Sequence, residues 1–234
     1  MNVSAQERIL VVAAHPDDET LGCGGVIARF RQAGAAVRIV CLAEGTSVRF
    51  PADQIDSAAA RAALAEREAN ARKALSILGV AADEVFLDRR YCCQLDTVPQ
   101  VDLVRAVERH LREFHPTRLY THAVADPNVD HRQVHWAVLA AARPLWPGLK
   151  EIVAFEILSS TDWNPSAPFA PTAFVDISGT IKTKLEAAAA YAGEMPPPPH
   201  SRSIENIEAL ARVRGAQAGV MFAEGFQVLR RVET

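Results

Sequence analysis

Residues 9–14 (ILVVAA) form a continuous, largely β-branched apolar run, the pattern of a parallel strand buried on both faces rather than one with a wet side. The polar stretch His15-Pro16-Asp17-Asp18-Glu19 follows as a loop. Leu21, Val26, Ile27 and Phe30 then recur at helical spacing through residue 32, and Gly34 supplies a stop. Residues 37–43 are apolar again and read as a second strand. The first 43 residues are thus one β-α-β unit, whose crossover is expected to be right-handed.

The alternation continues. Helical patterns over 58–78, 101–114 and 131–143 are separated by strand patterns over 84–87, 118–121 and 152–155. Strands alternating with helices imply an α/β fold, a Rossmann-like open and mostly parallel sheet with helices on both faces. Beyond residue 155 the pattern changes. Pro165, Pro168 and Pro171 separate short segments, a strand is expected at 173–177, and Ser178 can cap a helix through Tyr191. Pro196 to Pro199 cannot be helical and predict an extended polyproline loop. A last helix over 203–215 opens Ser203-x-x-Asn206, and the chain closes with GFQVLRR. With no internal repeat and no flexible linker, residues 1–234 read as one domain: a core at 1–155 and an extension at 156–234 that shapes a pocket.

Composition narrows the function. Hydrophobic residues make up 49% and charged residues 23%, so global disorder is excluded. A formal charge of -3 gives no basic footprint for nucleic acid or an anionic membrane, and a small-molecule substrate is the better expectation. Cys23, Cys41, Cys92 and Cys93 lack the C-x-x-C spacing of a zinc ribbon and read as reduced cytosolic thiols. The short apolar run at 9–14 is too brief for a signal peptide, and no stretch approaches the roughly 18 apolar residues of a membrane span, so a cytoplasmic protein is expected.

Two clusters carry the chemistry. His15-Pro16-Asp17-Asp18-Glu19 stands where the first strand ends, the end at which open α/β sheets bind ligands. His15 and Asp18, three residues apart, offer a nitrogen and a carboxylate to a divalent metal, and a cation would offset the repulsion between Asp17 and Asp18. Asp126-Pro127-Asn128-Val129-Asp130-His131 follows another strand, with His135 one turn beyond His131. Asp130 can cap that helix, with Gln133 completing a capping box. Spacing alone lets either His131 or His135 complete a set of two histidines and one aspartate. Three protein ligands and an open position suit a catalytic zinc, with Asp17 placed as general base; the same set also fits Fe2+. Gly22, Gly24 and Gly25 do not form G-x-G-x-x-G and read as a close-packing stretch of the first helix.

His15-Pro16-Asp17-Asp18-Glu19 paired with Asn128-Val129-Asp130-His131-Arg132 resembles the PIG-L / LmbE-like family of zinc-dependent N-deacetylases. Weaker echoes are Glu44-Gly45-Thr46-Ser47-Val48-Arg49, Arg67-Glu68, Ser159-Ser160-Thr161-Asp162-Trp163 and Pro199-His200-Ser201-Arg202-Ser203. The resemblance implies that His15, Asp18 and His131 bind Zn2+, that Asp17 is the general base, that Asp130 orients a ligand and that Arg49 lines the pocket. It implies removal of acetyl from an N-acetylglucosamine unit on a small conjugate, and frequent homo-oligomers. Trp163 could stack on the sugar.

One position departs from the pattern. Many members carry a histidine three residues before the third ligand, where it steadies the oxyanion; here that residue is Asn128. An amide donates a hydrogen bond but cannot act as general acid, which makes His200, held by the prolines, the candidate replacement. Two alternatives to sugar deacetylation follow: hydrolysis of another acyl or amide bond, and a catalytically silent binding protein.

Overall fold

A computed structural model of the chain describes residues 4–233. Its centre is a seven-stranded sheet of order β3-β2-β1-β4-β5-β7-β6. β1 (Arg8–Ala13), β2 (Ala36–Cys41), β3 (Val85–Leu87), β4 (Arg118–His122) and β5 (Glu151–Phe155) are mutually parallel. β7 (Ala223–Arg231) runs antiparallel between β5 and β6 (Ala173–Asp176). The closing GFQVLRR segment is therefore the strand that ties the late part of the chain into the sheet.

The side-chain alternation of β1 shows why its run has no polar gap. Ile9, Val11 and Ala13 join the core beneath α1 (Asp18–Gln32), α2 (Ala58–Ile77), α5 (Ile181–Ala190) and α6 (Ile204–Ala218). Leu10, Val12 and Ala14 join a second core beneath α3 (Gln100–Phe114) and α4 (Val129–Ala141). Helices thus cover both faces, as the strand pattern required.

Several boundaries differ from expectation. α1 begins at Asp18, because Thr20 and Leu21 N–H already bond to Asp17 O, so the polar cluster is half loop and half first turn. The N-cap of α4 is Asn128, not Asp130: Asn128 Oδ1 accepts from Asp130 N at 2.9 Å, and the Asp130 carboxylate is engaged elsewhere. Ser178 bonds Asp176 instead of capping, so α5 starts after Thr180. Ser203 caps α6 through Asn206 N as expected. The proline run does not stay extended, since the Pro198–Pro199 bond is cis and His200 N bonds back to Pro197 O.

α1 packs closely because of its glycines. A Cβ on Gly22 would sit 2.4 Å from the Phe155 ring, and one on Gly25 would sit 2.8 Å from Ile177. The helix also breaks at Cys23 (φ −148°, ψ 23°). The two oxygens of buried Glu224 take up Gly25 N at 2.9 Å and Val26 N at 2.8 Å, and Lys184 Nζ neutralises that carboxylate at 2.6 Å. Among the described residues, no helix is long and apolar enough to cross a membrane.

Candidate active site

The order β3-β2-β1-β4 turns direction between β1 and β4, and the crevice beyond the strand ends at such a point is where α/β sheets take ligands. His15 to Asp18 lie directly beyond β1, and Asp126 to His131 beyond β4. Two turns that are far apart in sequence therefore meet there. His15, Asp18 and His131 are all buried and present ligand atoms within 4.8 Å of one another. Asp18 Oδ2 lies 3.5 Å from His15 Nδ1 and 3.4 Å from His131 Nε2.

Each histidine is oriented by a carboxylate on its other nitrogen. Asp130 Oδ2 is 2.9 Å from His15 Nε2, and Asp126 Oδ2 is 2.9 Å from His131 Nδ1. Such outer carboxylates fix ring orientation and raise ligand basicity. Asp130 is itself fixed by Cys93 N at 2.6 Å and Leu95 N at 2.9 Å. Asp126 is fixed by the hydroxyls of Ser160 and Thr161.

The charge of the cluster fits a cation. Burial pushes both imidazoles toward neutrality, but the carboxylates outweigh it: Asp130 and Asp18 bring His15 to about 9, and Asp18 and Asp126 bring His131 to about 10. Burial likewise opposes the charge of Asp18, yet His131 and His122 hold it well below the usual carboxylate range. Asp18 Oδ1 is buried with no hydrogen-bond partner, an acceptor left over for a cation. A divalent ion would replace the ring protons, as metal binding to histidine does.

Asp17 adjoins this set and belongs to a different network. Its φ of 122° is a conformation that side chains rarely adopt. Two guanidiniums clasp it: Arg67 Nη2 and Arg202 Nη1 each lie 3.0 Å from Oδ2. Burial raises its proton affinity and Asp18 adds to that, while Arg67 and Arg202 oppose; the net shift is upward. The cation that answers the Asp17–Asp18 repulsion on the Asp17 side is thus arginine. Arg67 also donates to Pro16 O at 2.8 Å and pairs with Glu194.

The other expected residues sit as follows. Arg49 forms a two-pronged pair with Glu194, both contacts 2.6 Å, and with Arg67 and Glu194 it lines a cleft of about 260 Å³. Asn128 spends its carbonyl oxygen on the α4 cap. His135 Nδ1 faces the His122 carbonyl at 2.8 Å and joins no ligand cluster among the described residues, which leaves His131 facing Asp18. His200 Nδ1 accepts from Arg202 N at 3.1 Å, so the ring turns to its own loop, and the side chain that loop delivers to Asp17 is Arg202. Trp163 is 61% exposed on the turn after β5 whose Ser160 and Thr161 hold Asp126. His122 touches the site from below: it stacks on His131 at 3.9 Å, accepts from Ala14 N, and burial with His131 lowers it to about 4.

Three neighbours of the site were given no role from sequence. Asp126 stood inside the quoted cluster, but nothing in its spacing says which histidine it meets. Glu194 follows α5 without a motif. Glu44 ends the β2 loop and gathers the N–H groups of Thr46, Ser47 and Cys92, which ties the two neighbouring loops together.

The family profile described as "PIG-L: GlcNAc-PI de-N-acetylase" matches residues 10–142, which contain every residue of the candidate metal set. The uncharacterized deacetylase YaiS of Escherichia coli K12 is 32% identical over 151 residues, covering 61% of this chain and 72% of that protein. A 4-oxalmesaconate hydratase of Pseudomonas putida is 27% identical over 243 residues, covering 95% of this chain and 89% of that protein. The crystal structure of the conserved protein TT1542 from Thermus thermophilus superimposes with a TM-score of 0.74 at 26% identity, over 98% of this chain and 97% of that one.

Proposed function

Because this chain belongs to the PIG-L (GlcNAc-PI de-N-acetylase) family, we propose that it hydrolyses the N-acetyl group of an N-acetylglucosamine-type amino sugar or small glycoconjugate, releasing acetate and a free amine. The observation that carries this reading is the convergence of buried His15, Asp18 and His131, with the spare Asp18 Oδ1, beside the clasped carboxylate of Asp17.

In this reading His15, Asp18 and His131 hold Zn2+. A zinc ion in such a site polarises a carbonyl and brings the pKa of water toward about 7. Asp17 takes the proton of the attacking water, a task suited by a carboxylate whose proton affinity burial has raised. Arg67 and Arg202 hold its Oδ2 in place. Asp130 and Asp126 keep the two imidazoles turned toward the substrate side. The Asn128 amide nitrogen donates to the developing oxyanion where a histidine is expected. His200 and Trp163 border the sugar, and Arg49 with Glu194 closes the cleft on the side of α2. The extension beyond residue 155 shapes the pocket, since Glu194 and Arg202 both come from it.

The test is metal content together with acetate release from a panel of N-acetylglucosamine conjugates, with Asp17→Asn and His200→Ala alongside. About one zinc per chain, and acetate release that Asp17→Asn abolishes, is the expected result. An unchanged rate in His200→Ala removes that residue from the chemistry. Acetate release that Asp17→Asn leaves intact overturns the reading.

The near full-length similarity to a hydratase favours a second reading, addition of water across the double bond of an unsaturated carboxylic acid at the same site. Asp17 would again move the proton, and Arg202 would face the substrate carboxylate. Loss of substrate ultraviolet absorption without acetate release distinguishes it.

A further inference from the structure

The loop between β3 and α3 carries Cys92 and Cys93 over the same crevice, and neither reading above uses their thiols. We propose that Cys92 and Cys93, with the Asp130 carboxylate beside them, form a second cation site for a soft, thiophilic divalent ion, and that filling it inhibits the first. Cadmium, or zinc beyond the first equivalent, is the ligand class.

The geometry carries this. Cys92 Sγ and Cys93 Sγ are 3.7 Å apart. Two thiolates bound to one tetrahedral zinc at about 2.3 Å stand about 3.8 Å apart, so the sulfurs need almost no movement to share an ion. Cys92 Sγ lies 3.3 Å from His15 Nε2, and His15, Cys92 and Asp130 present donor atoms all within 4.8 Å of one another, every one of them buried. Thiolate with carboxylate and imidazole selects soft ions over Mg2+ or Ca2+.

The loop is held in this arrangement from the backbone. Cys92 N donates to Glu44 Oε1 at 2.9 Å and to Ser47 Oγ at 3.0 Å, and Cys93 N donates to Asp130 Oδ2 at 2.6 Å with Cys93 at φ 58°. Cys92 is buried against His15 while Cys93 is exposed, which gives an ion a path from solvent to the inner sulfur. Cys23 and Cys41 are buried and take no part.

Binding would release two thiol protons to solvent and bring the ion against Asp130. That carboxylate orients His15, so the second ion pulls on a ligand of the first. The site itself does not rest on the deacetylase reading; only its inhibitory consequence does.

The experiment uses reduced full-length protein loaded with one equivalent of zinc and titrated with Cd2+, followed by thiolate-to-cadmium ultraviolet absorption and by metal content after dialysis. One further equivalent with the thiolate band is expected. Cys93→Ser, at an exposed position, should lower the band at saturation, because one of the two Cd–S bonds is gone, and weaken the second equivalent by about tenfold or more, as loss of a ligand or its support commonly does. Cys92→Ser should do the same. Cd2+ should also protect Cys93 from maleimide labelling in the wild-type protein. A titration without the band, or a band of undiminished intensity and midpoint in Cys93→Ser, overturns the site. Acetate release should fall as the second equivalent binds. If no substrate yields acetate, the absorption and labelling still decide the site, and only the proposed activity fails.

Discussion

Arg202 reaches across 185 residues of sequence to place Nη1 3.0 Å from Asp17 Oδ2. With Arg67 on the same oxygen, it lowers the proton affinity that burial has raised. The sign of a substitution follows. In Arg202→Met one opposing cation is gone, so Asp17 holds its proton to higher pH, and a base must be deprotonated to act. The acidic limb of kcat/KM should move to higher pH. Arg202→Lys should restore part of the shift. An acidic limb that stays put in Arg202→Met removes Asp17 as the titrating base.

Asp130 touches His15 Nε2 and Asp126 touches His131 Nδ1, both at 2.9 Å. Toward the first ion neither is a ligand; each sets a ring that is. Asp126→Asn and Asp130→Asn should therefore lower affinity for the first zinc equivalent by about 10–100-fold without abolishing it, whereas Asp18→Ala should lose that ion outright. Equilibrium dialysis against graded zinc separates the two behaviours. Added zinc should recover activity in the Asn variants, and failure to recover it means that the carboxylates act on the substrate instead.

The strands up to β5, and the polar turns that follow the first and fourth of them, were readable because apolar period and strand-end polarity are local signals; the order of the strands in the sheet was not. Asp17 and Asp18 could be found for the same reason, whereas spacing left His131 and His135 open and the choice of His131 came from the family resemblance. Their partners could not be found this way. Arg202 and Glu194 come from turns around α5 and α6, where prolines and small residues give little periodicity, and only the packing of α5 on α1 and α2, with α6 on α5, brings them to Asp17 and Arg67. His200 was the conspicuous residue of the proline loop, yet the loop turns at Pro198–Pro199 and directs its neighbour into the site. Asn128, not the expected Asp130, caps α4, because Asp130 is engaged by His15, Cys93 and Leu95. β7 was missed as an element because its first four residues, Ala223 to Phe226, include Glu224 and Gly225 yet are all buried, and its last five mix apolar and charged side chains without alternation.

Glu194 gives a pH test of stability. Burial opposes its charge, but Arg49 and Arg67 hold it at about 2, below the ordinary 4.5. Its contribution to stability is therefore fully present above about pH 4.5 and is lost as pH falls toward 2, by at most about 3 kcal/mol, with the half-exposed Arg49 contributing less than its distance suggests. Thermal unfolding between pH 2 and pH 6 should show a steeper acid decline for the wild type than for Glu194→Gln. Parallel curves for the two proteins would show that the pairs with Arg49 and Arg67 do not stabilise the fold.

At the break in α1 at Cys23, Glu224 accepts from Gly25 N and Val26 N while Lys184 donates to Glu224 and to Leu21 O at 2.8 Å. Glu224 comes from β7 and Lys184 from α5, so three elements are pinned at the point where α1 leaves the candidate site. Removing only the cation leaves a buried carboxylate uncompensated, which costs about 3–5 kcal/mol. Lys184→Met should unfold at correspondingly lower urea concentration. Lys184→Met/Glu224→Gln should regain part of that loss, because a neutral amide oxygen can still accept from one of the two N–H groups. The interaction energy from this double-mutant cycle should exceed about 1 kcal/mol. A value near zero would mean that the backbone N–H groups alone stabilise Glu224 and that Lys184 serves only Leu21 O. Metal content should follow the same order as stability, since Asp18 and Glu19 begin the helix that this cluster holds.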